Sequence, residues 1–126
     1  MTESFISDCI RTESSQFSDL SPFSVSRLVH AAFGMQTETA EFTDALKKAL
    51  FYGKPLDVVN LKEELGDLLW YIAIAMDELN TDFETESTRV LAKLKQRYPD
   101  KFTSEAAANR DLVSERSILE QTHERI

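Results

Sequence analysis

The chain is poor in the residues that stop helices and in those that cross-link loops. Three glycines and three prolines in 126 residues supply too few turns for an all-β chain of short strands and favour long helices. A single cysteine, Cys9, excludes an intramolecular disulfide, and with it the disulfide-stapled secreted class. Positive charge is scarce too. Lys and Arg number 14 against 22 Asp and Glu, a formal charge of −8, which disfavours nucleic acid and anionic membranes as partners. The longest apolar run, Leu68 to Met76, falls far short of the ~20 residues that a membrane span needs. The opening "MTESFISDCIRTESSQFSD" has no basic-then-apolar leader pattern. The expectation is a cytoplasmic protein with one core.

What is present is helical period. Residues 1–20 are Ser/Thr-rich with scattered apolar positions and read as an arm or short helix. Ser21-Pro22 offers an N-cap and a first-turn proline. From there to Phe51, apolar residues recur at helical spacing through Leu28, Ala31, Met35, Phe42, Leu46 and Leu50. Gly53 and Pro55 end that helix. Asp57 caps a second, carrying Leu61, Leu65, Leu68, Ile72 and Met76 to about Leu79. Thr81 with Glu84 three residues on fits a capping box for a third, which Pro99 stops. Residues 104–126 read as a last, weakly amphipathic helix or tail. The fold predicted is all-α, an antiparallel helical bundle with residues 21–103 as its core.

Two acidic pairs interrupt the long helices. At ~100° per residue, Glu38 lies roughly 60° and Glu41 roughly 120° from the centre of the first apolar stripe. Glu64 and Asp67 lie roughly 80° and 140° from the second, in the same rotational sense. The short connection at 52–56 makes the helices antiparallel neighbours. The two-fold relation between antiparallel helices then puts equal offsets on one side of the pair. The pairs also sit at similar depth, about 15 and 10 Å from the connection at 1.5 Å per residue. Four carboxylates should converge on one patch beside the core. Anions so close repel unless cations lie among them, and all-oxygen ligands suit Mg²⁺ or Mn²⁺. The competing reading is a solvated acidic face. A di-iron bundle needs Glu-x-x-His pairs, and neither His30 nor His123 occupies such a position.

His30, Gly34, Lys48, Asn60 and Tyr71 fall on the acidic side by the same geometry, and His30, Asn60 and Tyr71 are candidate ligand contacts. Gly66, inside a helix at a cost of about 1 kcal/mol relative to alanine, is expected to mark a close backbone approach. Lys93 and Arg97 share a face of the third helix, one turn apart; they read either as a phosphate clamp or as a basic turn favourable to the helix dipole.

Residues 38–41, "ETAE", and 64–67, "ELGD", separated by 22 residues, resemble the Glu-x-x-Glu…Glu-x-x-Asp signature of the MazG-like nucleoside triphosphate pyrophosphohydrolases. These belong to an all-α superfamily that also holds dimeric dUTPases and phosphoribosyl-ATP pyrophosphohydrolases. The similarity runs through "HAAFG", "LFYGKPLDVVNLKEELGDLLWY" and "AKLKQRYPDKF", about residues 27–102. The resemblance implies that Glu38, Glu41, Glu64 and Asp67 bind Mg²⁺ or Mn²⁺, two or three ions per site. It also implies that Lys93 and Arg97, aided by Lys54, hold phosphates. Many relatives carry an asparagine just before that lysine, where this chain has Val90-Leu91.

The activity implied is hydrolysis of a (deoxy)nucleoside triphosphate to monophosphate and pyrophosphate, with Glu41 as principal base and Glu38 beside it. The family's habits further imply a homodimer or homotetramer. Small single-domain members are common in bacteriophages, where they remodel nucleotide pools in the host cytoplasm; dGTP or GTP is then the expected substrate, and dUTP or dCTP the alternative. A different class of protein, a non-catalytic helical interaction module with a structural cation site, would bind Mn²⁺ without responding to nucleotide.

Overall fold

The computed structural model describes residues 3–121. His123 and the last part of the predicted 104–126 segment lie outside them. Six helices follow one another: α1 Glu3–Ile10, α2 Val25–Phe51, α3 Val58–Glu78, α4 Phe83–Arg97, α5 Ser104–Ala108 and α6 Leu112–Glu120. No strand occurs among the described residues. The architecture is all-α, as the helical period requires.

The helix boundaries show which local signals act. Ser24, not Ser21, caps α2, its side chain accepting from Arg27 N; the cis Ser21–Pro22 bond lies in the turn before it. Asp57 caps α3 as expected, its Oδ1 accepting from Asn60 N at 3.0 Å. At α4 the cap is Asp82, accepting from Thr85 N at 2.8 Å. The cap falls one residue after the expected Thr81, whose amide donates to Met76 O at 2.9 Å and whose hydroxyl donates to Glu86 Oε1 at 2.5 Å. The carboxylate one residue later is the stronger acceptor for a first-turn amide. The C-terminal segment is broken into α5 and α6 at Asn109, each with its own cap, Thr103 and Asp111.

α2 and α3 form the principal packed pair, and α6 folds back on α4. The antiparallel hairpin is pinned at its open end. Arg27 on α2 bridges Glu78 Oε2 at 2.8 Å and Asp77 Oδ2 at 2.9 Å on α3, while Ser24 N donates to Glu78 Oε1. At its closed end Gly53 turns the chain with φ 65°, a value glycine adopts without steric cost.

The tightest approach between the helices is at Gly34, not at the expected Gly66. A Cβ on Gly34 would stand 2.1 Å from Tyr71 Cδ1, whereas one on Gly66 would meet nothing within 4 Å. The Tyr71 ring therefore lies directly on the α2 backbone. Gly34→Ala should destabilise the protein by about 1–3 kcal/mol through overpacking, while Gly66→Ala should stabilise it by about 1 kcal/mol through helix propensity. Urea denaturation of both variants checks the pair, and equal effects of one sign would contradict it.

The hairpin encloses little. Ala31 is the one fully buried hydrophobic residue among those described, while Leu50, Leu65, Leu69 and Trp70 are each more than half exposed. The chain exposes 10228 Å², against roughly 6,800 Å² for a compact monomer of its mass.

Candidate metal centre

The site is built from the middle of the hairpin. Glu38 and Glu41 project from α2 one turn apart, and Glu64 meets them from α3. One carboxylate oxygen of each lies within 4.8 Å of the others. Oxygens opposite one another on a single Mg²⁺ stand about 4.2 Å apart, so the trio is within side-chain adjustment of a chelating set.

Burial grades the three. Glu41 is exposed, Glu38 is half-buried, and Glu64 is 7% exposed. Asn60 Nδ2 donates to Glu64 Oε1 at 2.5 Å, the i,i+4 reach expected on a helix. Glu64 Oε2 is buried and accepts no hydrogen bond among the described residues. A buried carboxylate oxygen without a partner is costly. A cation among the three would supply the missing partner and relieve their repulsion. The donor set, all hard oxygen and no thiolate or imidazole, fits Mg²⁺ or Mn²⁺.

The electrostatic load falls on Glu38. Its pKa is pushed up from 4.5 to about 7, first by partial burial, then by the adjoining Glu64 carboxyl, and then by the charges of Glu41, Asp67 and Glu64. A proton on Glu38 would be the donor that the Glu64 side lacks in the metal-free protein. Asp67 is exposed and outside the close trio, yet near enough to raise Glu38.

Beside the trio, toward the connection, opens a cleft of about 340 Å³ lined by Glu41, Asp44, Ala45, Lys48, Asp57, Asn60 and Glu64. Lys48 Nζ pairs there with Asp44 Oδ2 at 2.6 Å, which lowers the Asp44 pKa. Asp44 and the capping Asp57 had no signal of their own as cleft residues. Asn60 spends one amide hydrogen on Glu64 Oε1 and also lines the cleft.

The remaining predicted residues are dispersed. His30 is exposed and meets Tyr71 edge-on, ring centres 5.7 Å apart, and Tyr71 also stacks edge-on with Trp70 at 4.7 Å. Lys54 is exposed in the 52–57 connection, its amide donating to Lys48 O at 3.2 Å. Lys93 is half-buried on α4 and forms no ion pair among the described residues. Arg97 is paired across to α6. Its Nε and Nη2 donate to Glu115 on α6, at 2.7 and 3.1 Å. That partner could not be foreseen, because the fold-back of α6 leaves no local mark in the sequence.

A helical hairpin that gathers carboxylates from both arms around a buried oxygen without a partner among the described residues is a candidate divalent-metal centre in an all-α protein. Residues 31–102 match the family model of the MazG nucleotide pyrophosphohydrolase domain, and the chain belongs to that family. No curated protein and no solved structure matches it. Family membership makes the substrate class a nucleotide and the chemistry hydrolytic, with a divalent metal as the general requirement. No described helix is long and apolar enough to cross a membrane.

Proposed function

We propose that the protein hydrolyses (deoxy)nucleoside triphosphates between the α- and β-phosphates, releasing a monophosphate and pyrophosphate. The observation that carries this reading is the Glu38–Glu41–Glu64 trio with its unpartnered Glu64 Oε2, in a chain of this family. Glu38, Glu41, Glu64 and Asp67 would hold two or three Mg²⁺ or Mn²⁺ ions, which would supply neutralisation of phosphate charge and a more acidic water. Glu64 is fixed by Asn60 and serves as the buried anchor. Glu41, exposed at the edge of the cleft, orients the attacking water and takes its proton on a carboxylate oxygen. Lys93, Arg97 and Lys54 offset charge on the departing pyrophosphate. His30 and Tyr71 edge the acidic side of the hairpin, where a base would lie. A purine, dGTP or GTP, is the proposed preference by resemblance to phage members, with dUTP or dCTP the nearest alternative.

The test is incubation with each of eight (d)NTPs and Mg²⁺ or Mn²⁺, followed by product separation. Monophosphate plus pyrophosphate, with no diphosphate, is the expected result, and its rates rank the bases. Diphosphate as the product would place the cut elsewhere. No turnover of any of the eight would point first to modified nucleotides, and failure of those as well would favour the non-catalytic cation-binding module.

The assembly proposed is a homodimer or homotetramer. Its support is the apolar surface left exposed on the hairpin itself, since the chain's excess area also contains the exposed segment 4–23. Leu46 and Leu50 of α2, with Leu65 and Leu69 of α3, are exposed on the side of the hairpin away from the carboxylates. A second hairpin laid on that face would complete a four-helix core. Leu69→Lys is expected to shift the protein to monomer in sedimentation velocity and to lower its melting temperature. A wild-type protein that already sediments as a 14.4 kDa species would refute the assembly.

A further inference from the structure

Glu64 is the buried member of the carboxylate trio, 7% exposed, and its two oxygens are not equivalent. Oε1 accepts from Asn60 Nδ2 at 2.5 Å. Oε2 is buried and has no hydrogen-bond partner among the described residues. Asn60 is itself tethered, its backbone amide donating to the capping Asp57 Oδ1 at 3.0 Å. Its side chain therefore starts from a fixed first turn of α3. It is half-buried in the wall of the cleft that Glu41 and Glu64 also line. The donor is neutral. An amide occupies one oxygen and leaves the carboxylate its full charge, whereas an ammonium there would offset the charge a cation needs. The lysine of the cleft, Lys48, pairs instead with Asp44, at 2.6 Å.

One free oxygen and two free oxygens suit different ions. Ca²⁺ sits about 2.3–2.6 Å from its ligands, tolerates irregular geometry and accepts both oxygens of one carboxylate. Mg²⁺, at about 2.0–2.1 Å, demands a near-ideal octahedron and keeps several waters. A single oxygen from each carboxylate meets that demand, while the narrow bite of two oxygens strains it. Hydrogen-bond partners of a ligating carboxylate change metal affinity by about 10–100-fold when removed.

We propose that Asn60 is a positioning residue: it occupies Oε1 of Glu64, confines Glu64 to binding a cation through Oε2, and so biases the centre towards Mg²⁺ or Mn²⁺ and against Ca²⁺. This rests on the reading of the trio as a metal centre and adds to it the choice of ion. The competing possibilities are that the bond only steadies the first turns of α3, or that Asn60 holds the substrate.

The test is calorimetric titration of the wild type, Asn60→Ala and Asn60→Gln with Mg²⁺, Mn²⁺ and Ca²⁺, without nucleotide, each variant checked by circular dichroism. Asn60→Ala is expected to weaken Mg²⁺ and Mn²⁺ about tenfold while Ca²⁺ binds as tightly as before or more tightly. Asn60→Gln, which keeps an amide within i,i+4 reach, should restore most of the lost preference. Infrared spectra of the Ca²⁺ forms give a second readout. The spacing between the antisymmetric and symmetric carboxylate stretches narrows when one-oxygen coordination becomes two-oxygen coordination. It should be narrower in Asn60→Ala than in the wild type. Equal losses for all three ions, or a lower melting temperature with unchanged affinities, would make the bond purely structural and overturn the proposal. Unchanged affinities with a raised KM for nucleotide would assign Asn60 to the substrate and overturn it as well. If no nucleotide is hydrolysed but the shift in ion preference occurs, the proposed activity fails while the role of Asn60 stands. A wild type that binds none of the three ions removes the metal centre and this role together.

Discussion

Glu41→Gln should reduce nucleotide hydrolysis by about 10³-fold, within the range that a positioned general base contributes, while the helical signal and melting temperature stay near wild type. The substitution keeps the size of the side chain and one acceptor oxygen but removes its charge and its capacity to take a proton. Glu41 is exposed on α2, so no packing is lost, and surface changes of this kind usually stay within about 0.5 kcal/mol. Removing one of four neighbouring negative charges also relieves repulsion in the metal-free protein. Titration with Mn²⁺ separates the two roles of the residue. Affinity within tenfold of wild type, with turnover gone, assigns Glu41 to the water; loss of both assigns it to the metal. Turnover like that of the wild type would remove Glu41 from the mechanism.

Metal binding should strengthen about tenfold for each pH unit between 5 and 7, and level off above. The cause is the Glu38 carboxyl, whose pKa of about 7 means that a cation must displace a proton across that window. Calorimetry at pH 6 in two buffers of different ionisation enthalpy should report close to one proton released per site, and close to none at pH 8. The stability of the metal-free protein runs the other way. Between 4.5, the ordinary value, and about 7, the folded chain holds a proton that the unfolded chain has lost. The stabilisation from that proton is complete below the lower value and is lost as pH rises through the upper one. The melting temperature of the apoprotein should therefore fall from pH 5 to pH 8, while the increment produced by Mg²⁺ grows. An Mn²⁺ affinity that is flat from pH 5.5 to 7.5 would place the displaced proton elsewhere.

The sequence by itself determined the hairpin and the convergence of Glu38, Glu41 and Glu64, because both rest on local periodicity. A 3.6-residue repeat fixes where Glu38 and Glu64 lie around their own helices, and a connection as short as 52–57 leaves the antiparallel arrangement as the natural one. The Asp57 cap is local too, a carboxylate reaching an amide three residues on. The errors fall where two signals compete over a residue or two: Ser24 over Ser21, and Asp82 over Thr81.

Only the tertiary structure decided what depends on distant chain segments. Which helical glycine marks the close approach is settled by where Tyr71 lands, on Gly34 and not at Gly66, and no local rule places a ring across two helices. The rank order within the acidic patch, with Glu64 buried, Glu38 protonating near neutrality and Asp67 at the rim, follows from how deep each position sinks between α2 and α3. The pairing of Arg97 with Glu115 requires α6 to return to α4 across Pro99 and a second short helix. Periodicity fixes a side chain's angle on its own helix; burial, and the partner it finds, are properties of the packed pair.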